Sequence, residues 1–258
     1  QGSAVTMTTA QHNDMINYDI TADGSADQIT LSDGGTVTSY AAIESYVLSD
    51  AGNTITLADA AQNVRGGAGD DTVDIDAFSV TGILAGESES SADTLLLGNT
   101  SDTTGASSVT GFENYTLKDG ASSTVAGSEL SFSSITLDEA SGNSGSTLNV
   151  NAQFEGDVII LSSITFGTNF DTTDNDTLNL NGTTGAEDLT GTSSNDVITG
   201  GGDNDTLDGN GGNDTFVYTA PSDGQDTIAA FDAGAGNDIF QFVGAGFGNP
   251  GAVTFQSA

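Results

Sequence analysis

The sequence predicts an all-β chain wound as a parallel β-solenoid, tightening toward its C-terminal end into a β-roll with capping strands. Three observations predict it. The apolar residues are mainly Val, Ile, Leu and Phe in short alternating runs, the pattern of half-buried strands. Between the runs stand Gly, Asp, Asn, Ser and Thr, the residues of turns, with 35 Gly and only 2 Pro in 258 residues. Residues 182–217 then repeat with a fixed period of nine. Helix signals are nearly absent, and Leu57–Asn63 is the one stretch that reads even weakly helical.

Composition narrows the function. There are 37 Asp+Glu against 2 Lys+Arg, a formal net charge of −35. Two cations, Arg65 and Lys118, cannot track a phosphate backbone, which excludes a nucleic-acid binder. An anionic membrane surface repels such a chain, and no apolar run approaches the ~20 residues of a membrane span. The absence of Cys removes disulfides, thiolate metal sites and a cysteine nucleophile. A compact body at this charge repels itself, so a salty, divalent-rich medium or bound cations are expected to relieve it. Both point outside the cell. No amino-terminal secretory signal is visible, and the chain opens Gln1-Gly2-Ser3 rather than on Met, as expected of a processed chain or a fragment.

Four consecutive units carry the repeat, starting at Gly182, Gly191, Gly200 and Gly209. Their sixth positions are Glu187, Asp196, Asp205 and Asp214. Their eighth positions are Leu189, Ile198, Leu207 and Phe216. An isolated fifth copy spans 66–74, with Asp71 and Val73 in the same places. This pattern resembles the nonapeptide of the RTX family, Gly-Gly-x-Gly-x-Asp-x-(apolar)-x, a calcium-binding parallel β-helix signature. Gly66–Asp74 agrees at every specified position. Gly209–Val217 departs only at Asn210 and Gly200–Asp208 only at Asp203. The first two units depart further, with Thr183 and Thr192 for Gly, and with Glu187 for Asp.

The residues read the same way physically. Six Gly/Asn/Asp-type residues make a turn, and the Asp-x-apolar triplet makes a short strand with its apolar residue inward. Two nonapeptides form one coil of 18 residues, so turns 18 apart stack at about 4.8 Å. Carboxylates and turn carbonyls of neighbouring coils are then expected to line one groove. Such hard oxygens suit Ca²⁺, which takes 6–8 of them at about 2.3–2.6 Å, better than Mg²⁺. The alternative is a solvated acidic turn tract with no ion.

The register stacks Glu187 on Asp205 and Asp196 on Asp214. The resemblance implies ligands at the matching positions. Carbonyls of Gly182, Thr184, Gly201 and Asp203 would serve the first pair, and those of Gly191, Ser193, Asn210 and Gly212 the second. The Gly200 turn, with Gly200 and Gly202 as further candidate ligands, has no clean partner, because the register breaks after Val217. Asp223 falls at the expected place and Asp226 three residues later, so either is a candidate to close a third site. Asp71 is the candidate ligand of the isolated copy.

Upstream a diluted triplet recurs: Asp27-Gln-Ile29, Asn53-Thr-Ile55, Asp71-Thr-Val73, Asp93-Thr-Leu95 and Asp176-Thr-Leu178. Asn53 to Asp71 is 18 residues, one coil. Spacings of 22 and 26 are read as coils with longer loops. Ile43–Leu48 and Phe112–Leu117 correspond as Ile-Glu-Ser-Tyr-Val-Leu and Phe-Glu-Asn-Tyr-Thr-Leu, two rungs in similar settings. Residues 1–181 are therefore expected to be an irregular β-solenoid, with a β-sandwich as competitor. Residues 182–243 are expected to be the roll with its capping strands, where Phe231, Phe240 and Phe242 stand close together, and 244–258 a tail. RTX proteins commonly leave the cell by type I secretion on an uncleaved C-terminal signal, of which Gly244–Ala258 is a weak candidate.

Nothing marks an enzyme. His12 is the only His, with no Cys or second His beside it, and reads as a surface residue near a frayed terminus. With 37 acids, nearness of two carboxylates carries no information about glycoside cleavage. Arg65 is expected to pair with acids such as Asp70. Thr36/Thr38 and Thr54/Thr56 are ordinary strand threonines, and the aromatics are core or edge fillers. The function these features fit is structural: an extracellular, bacterial cell-surface or secreted protein that folds on Ca²⁺ and polymerises with copies of itself. The resemblance implies a surface-layer lattice or fibre, with cell-surface polysaccharide as a candidate partner. The alternative is a calcium-binding carrier module of a larger type I-secreted enzyme or adhesin.

Overall fold

The computed structural model describes residues 2–15, 26–87, 92–131, 133–142, 144–171, 175–232, 237–243 and 247. Its strands form a parallel β-solenoid of about ten coils, and all pairings between the named strands are parallel. That excludes the β-sandwich, whose sheets are antiparallel. The first sheet stacks β1 (Ala4–Met7), β2 (Gln28–Leu31), β4 (Ser45–Val47), β6 (Asn63–Arg65), β8 (Ile83–Ala85) and β10 (Ser108–Thr110). The second stacks β3 (Gly35–Thr38), β5 (Asn53–Thr56), β7 (Thr72–Asp74), β9 (Thr94–Leu97), β11 (Asn114–Leu117), β13 (Thr136–Glu139) and β16 (Thr165–Phe166). The third stacks β12 (Ser122–Ala126), β14 (Thr147–Asn151), β17 (Thr177–Asn181), β19 (Asp196–Thr199), β21 (Thr215–Tyr218) and β23 (Ile239–Phe242). The fourth stacks β15 (Val158–Ile160), β18 (Asp188–Thr190), β20 (Thr206–Asp208) and β22 (Thr227–Ala229).

Alternation decides what goes inside. Val37, Ile55, Val73, Leu95, Tyr115 and Leu137 stack in register on the second sheet, and all are buried. Each apolar side chain rests on the one above and below, which is how a solenoid builds a core from rungs too short to fold alone. The neighbouring outward column runs Thr36, Thr54, Thr72, Thr94, Asn114, Thr136 and Thr165. These threonines share no fixed period in the sequence, yet they line up in space because the loops between rungs differ in length.

Two expectations about spacing resolve differently. The 22-residue step from Asp71 to Asp93 is one coil, with Thr72 paired to Thr94. The step from Asp27 to Asn53 is not a coil, because Asp27 leads into the first sheet and Asn53 into the second. The coil neighbours are instead Gln28 with Ser45 and Gly35 with Asn53.

Helix occurs elsewhere than expected. Leu57–Asn63 is a turn that runs into β6 at Asn63: Gln62 Oε1 accepts from the Ala58 and Asp59 amides (3.2 Å each), and Asp59 Oδ1 from Ala61 N (2.9 Å). These side-chain bonds offer the backbone an alternative to helix. The longer of the two described α-helices is α1 (Thr9–Asp14), opened by a reciprocal capping box between Thr8 and Gln11. It lies against β3, the end strand of the second sheet, with Thr9 N on Asp33 Oδ1 (2.6 Å) and Asn13 Nδ2 on Thr36 O (3.0 Å). His12 is therefore not on the surface. It is 1% exposed, stacked on Tyr40 at 4.5 Å, with Nε2 3.4 Å from Tyr46 Oη. Arg65 pairs with Glu87 at 2.6 Å rather than with Asp70, whose carboxylate accepts from Ala92 N. At the other end Phe216, Phe231 and Phe240 pack together and Tyr218 stacks on Phe242, closing the last coils with wide rings.

Candidate metal centre

The nonapeptide turns stack as their register requires. Asp188 pairs with Thr206 and Val197 with Thr215, each one 18-residue coil on. Leu189, Ile198, Leu207 and Phe216 point inward and are buried. Gly201 lies against Thr183, Gly202 against Thr184, Gly182 against Gly200, Gly191 against Gly209, and Gly212 against Ser194. Ser193 lies over Gly211. Positive φ at Gly201 (+105°), Asp203 (+68°), Asn210 (+66°) and Gly212 (+117°) bends the turns. Asn210 also donates its Nδ2 to Thr192 O of the coil above (2.9 Å).

The sixth-position acids of these turns are buried rather than lining an open groove. Glu187, Asp196, Asp205 and Asp214 are each at most 3% exposed. Glu187 and Asp196 fold one oxygen back on their own turns, Asp196 Oδ2 to Thr192 N (2.6 Å) and Glu187 Oε2 to Thr183 N (2.9 Å). Asp205 and Asp214 reach toward the coil above, each taking the backbone N–H of the matching acid: Glu187 N on Asp205 Oδ1 (2.8 Å) and Asp196 N on Asp214 Oδ1 (2.9 Å). The first glycine of each unit makes room for the carboxylate of its own turn. A Cβ at Gly191, Gly200 or Gly209 would overlap the carboxylate of Asp196, Asp205 or Asp214 respectively.

The two acids after the repeat divide the work. Asp226 takes the ladder position, accepting from Asp205 N (3.0 Å), because β22 pairs with β20 through Thr206 and Thr227. Asp223 instead caps its own turn, accepting from Thr219 N and Ala220 N. Asp238 continues the other ladder below Asp214 (2.9 Å), which sequence reasoning missed. Its signal was present as Asp238-Ile-Phe240, hidden by a 24-residue step.

The isolated copy sits in a second ladder along the second sheet. Asn53 N donates to Asp71 Oδ1, Asp71 N to Asp93 Oδ1 and Asp93 N to Glu113 Oε2, at 2.7–2.9 Å. Asp71 Oδ2 accepts from Gly67 N (2.8 Å). The corresponding Glu-x-Tyr segments do occupy like settings, though on different sheets. Glu44 accepts from Asp27 N as Glu113 does from Asp93 N, and Tyr46 and Tyr115 are both buried.

Burial makes several of these carboxylates reluctant to ionise. It pushes Asp196 up to about 7, aided by Asp214. Burial likewise pushes Asp205 up to about 6, with Asp226, Glu187 and Asp203 adding repulsion, and Asp214 up to about 6, with Asp238 and Asp208. Asp226 and Asp71 are raised for the same reason. Asp205 Oδ2 is buried without any hydrogen-bond partner. Among the described residues no three carboxylate or imidazole groups converge, so an ion here would rely on single carboxylates and turn carbonyls.

Comparison with known families finds the RTX calcium-binding nonapeptide repeat in four copies, at residues 59–77 and 181–216. No curated protein and no solved structure matches the chain. The chain thus carries RTX repeats, and RTX repeats bind Ca²⁺. The residues fit that ion. The donors are all hard oxygens, the carboxylates are desolvated against one another, and Asp205 offers an oxygen that nothing in the protein satisfies.

Proposed function

We propose that the chain is an extracellular structural protein that folds on Ca²⁺ and assembles with copies of itself, in a surface-layer lattice or a secreted fibre at the bacterial cell surface. The observation that carries the reading is the pair of carboxylate ladders in the nonapeptide turns, with Asp205 Oδ2 unpartnered. Glu187, Asp205 and Asp226 on one side, and Asp196, Asp214 and Asp238 on the other, are the proposed ligand carboxylates. Gly182, Thr184, Gly191, Ser193, Gly200, Gly201, Gly202, Asp203, Asn210 and Gly212 are the proposed carbonyl donors. Asp71 serves the isolated turn. Bound calcium supplies positive charge where the chain has almost none.

The mechanism is linkage. At −35 the calcium-free chain repels itself. Whatever binds the folded turns and not the unfolded chain adds its binding energy to folding. The chain's own part is to hold its turn carboxylates with backbone N–H groups, so that folding sets the oxygens where an ion can take them. Where calcium is scarce the chain stays open and exportable; where it is plentiful the chain folds. RTX repeats are typical of secreted proteins, which supports the location.

The test is a calcium titration of chelator-stripped protein followed by circular dichroism and light scattering. A coil-to-β transition with growth in particle mass supports calcium-driven assembly. Folding at constant mass favours a carrier module of a larger secreted enzyme or adhesin. No response in either signal refutes the calcium reading.

A further inference from the structure

One interior column changes character partway down the solenoid. Leu97 stacks on Leu117, and Leu117 on Glu139. Both leucines are fully buried, and Glu139 is 1% exposed. A carboxylate thus stands where the two coils above place leucine. Leucine would continue the column without electrostatic cost, whereas a buried carboxylate is costly unless a positive charge or a full set of donors meets it.

The protein meets only half of that need. Glu139 Oε1 accepts from Gly120 N (3.1 Å) and from the Ser146 hydroxyl. Glu139 Oε2 has no partner. Neither side-chain cation is free to serve it: Arg65 holds Glu87, and Lys118 Nζ holds Asp74 and Asp76 at 2.9 Å. Among the described residues only one other buried side-chain polar atom is unpartnered, and it is Asp205 Oδ2 in the nonapeptide roll. The same signature therefore occurs once inside the calcium-binding repeats and once outside them.

Oxygen donors gather around Ser146, the partner of Glu139 Oε1, at the corner between the second and third sheets. Ser146 Oγ lies 3.4 Å from Lys118 O, one coil above. Ser146 N donates to Asp176 Oδ1 (2.6 Å), one coil below. Asp176 is itself 8% exposed, with Oδ2 on Asp171 N (2.7 Å). Three successive coils thus bring two carboxylates, a hydroxyl and a main-chain carbonyl together around one buried serine. A hard cation with loose angular demands suits such a set.

We propose that Glu139 anchors a Ca²⁺ site in the interior of the solenoid, outside the RTX repeats, with Ser146, Asp176 and the Lys118 carbonyl as the neighbouring donors. The proposal rests on the calcium reading of the chain, but none of these residues lies in the matched segments 59–77 and 181–216.

Native mass spectrometry of the full chain in saturating calcium counts the ions, and melting at the lowest calcium that folds the wild type and at saturation measures their effect. Glu139→Gln keeps the shape and the Oε1 acceptor. It is expected to hold one ion fewer than wild type and to lose part of the Tm gain that calcium confers. An equal ion count with an equal Tm gain overturns the proposal. Glu139→Leu, which copies Leu97 and Leu117, is the second variant should the glutamine variant fold poorly. It is expected to melt higher than wild type at the lowest calcium that folds the wild type, yet hold one ion fewer at saturation. A higher Tm with an unchanged ion count would mean the carboxylate is only a misfit in the column, and also overturns it. A wild-type chain that binds no calcium refutes the calcium reading as a whole, whereas binding with an unchanged variant count refutes this site alone.

Discussion

The backbone N–H of Asp196 donates to Oδ1 of Asp214, 18 residues later and one coil below, at 2.9 Å. A side chain thus takes a place in the stack between two neighbouring coils, and its other oxygen faces its own turn, over Gly209. The stack and the proposed ion binding rest on the same group, and the two can be separated by mutation.

Asp205→Asn removes the charge but leaves Oδ1 to accept from Glu187 N. In saturating calcium this variant is expected to melt within a few degrees of wild type, because the ladder bond survives. In calcium its affinity is expected to fall at least tenfold, about 1.4 kcal/mol. Calorimetric titration beside thermal melting checks both halves.

Gly209→Ala puts a methyl group into the Asp214 carboxylate. Overpacking of this kind costs about 1–3 kcal/mol, and here it also displaces the ladder bond from Asp196. Gly156→Ala is the control. Its φ is +84° but nothing lies within 4 Å of the new carbon, so only the backbone preference of about 1 kcal/mol is lost. The urea midpoint is expected to fall further for Gly209→Ala than for Gly156→Ala.

Glu129, on the short helix α2 (Gly127–Leu130), accepts from Thr103 Oγ1 at 2.6 Å, and burial pushes it up to about 7. The folded chain therefore holds this proton more tightly than the unfolded one, whose carboxyl titrates near 4.5. The stabilisation is complete below about pH 4.5 and is lost as pH rises to about 7, at most about 3 kcal/mol. Glu129→Gln is expected to remove this slope, so the stability difference between variant and wild type should change between about pH 4.5 and pH 7. A constant difference across that range contradicts it.

His12 behaves in the opposite sense. Burial lowers it below its ordinary 6.5. The neutral ring between Tyr40 and Tyr46 is the stable form, so the contribution of the α1 cap is full above pH 6.5 and declines as pH falls through the lowered value. An NMR titration of the ring is expected to place its midpoint below 6.5. Protection of the β3 amides in wild type relative to His12→Phe is expected to fall on the acid side.

The roll is legible in the sequence because its period is constant. Leu189, Ile198, Leu207 and Phe216 fall at equal steps, so their inward positions and the Glu187–Asp205 and Asp196–Asp214 pairs follow from counting. Upstream the coils exist but the steps vary, from 18 between Asn53 and Asp71 to 22 between Asp71 and Asp93 and 30 between Ser146 and Asp176. Variable loops erase a period without disturbing the stack, which is why Asp27 and Asn53 read as one series although they belong to different sheets. Glu113, one step from Asp93 in the ladder, stands out in the sequence only as part of a Glu-x-Tyr likeness. The α1 cap is announced by Thr8 and Gln11 at capping-box spacing, a signal easily lost beside so much β pattern. Glu139 is hidden for another reason: alternation puts it on the face of Leu137, but a glutamate at a strand's end reads as its solvated tip until the coil above places Leu117 there.

The ladder bonds all run the same way along the chain. Ser3, Asp27, Asn53, Asp71, Asp93, Ser146, Glu187, Asp196, Asp205 and Asp214 each give an N–H to a carboxylate that comes later in sequence. Each coil therefore leans on its successor and supports its predecessor. Shortening the roll from its C-terminal side strands a buried N–H donor at the new end, while shortening the chain from its N-terminal side strands a carboxylate oxygen instead. The winding has a direction, and the last coils, with Asp226, Asp238 and their ring of aromatics, are where it is anchored.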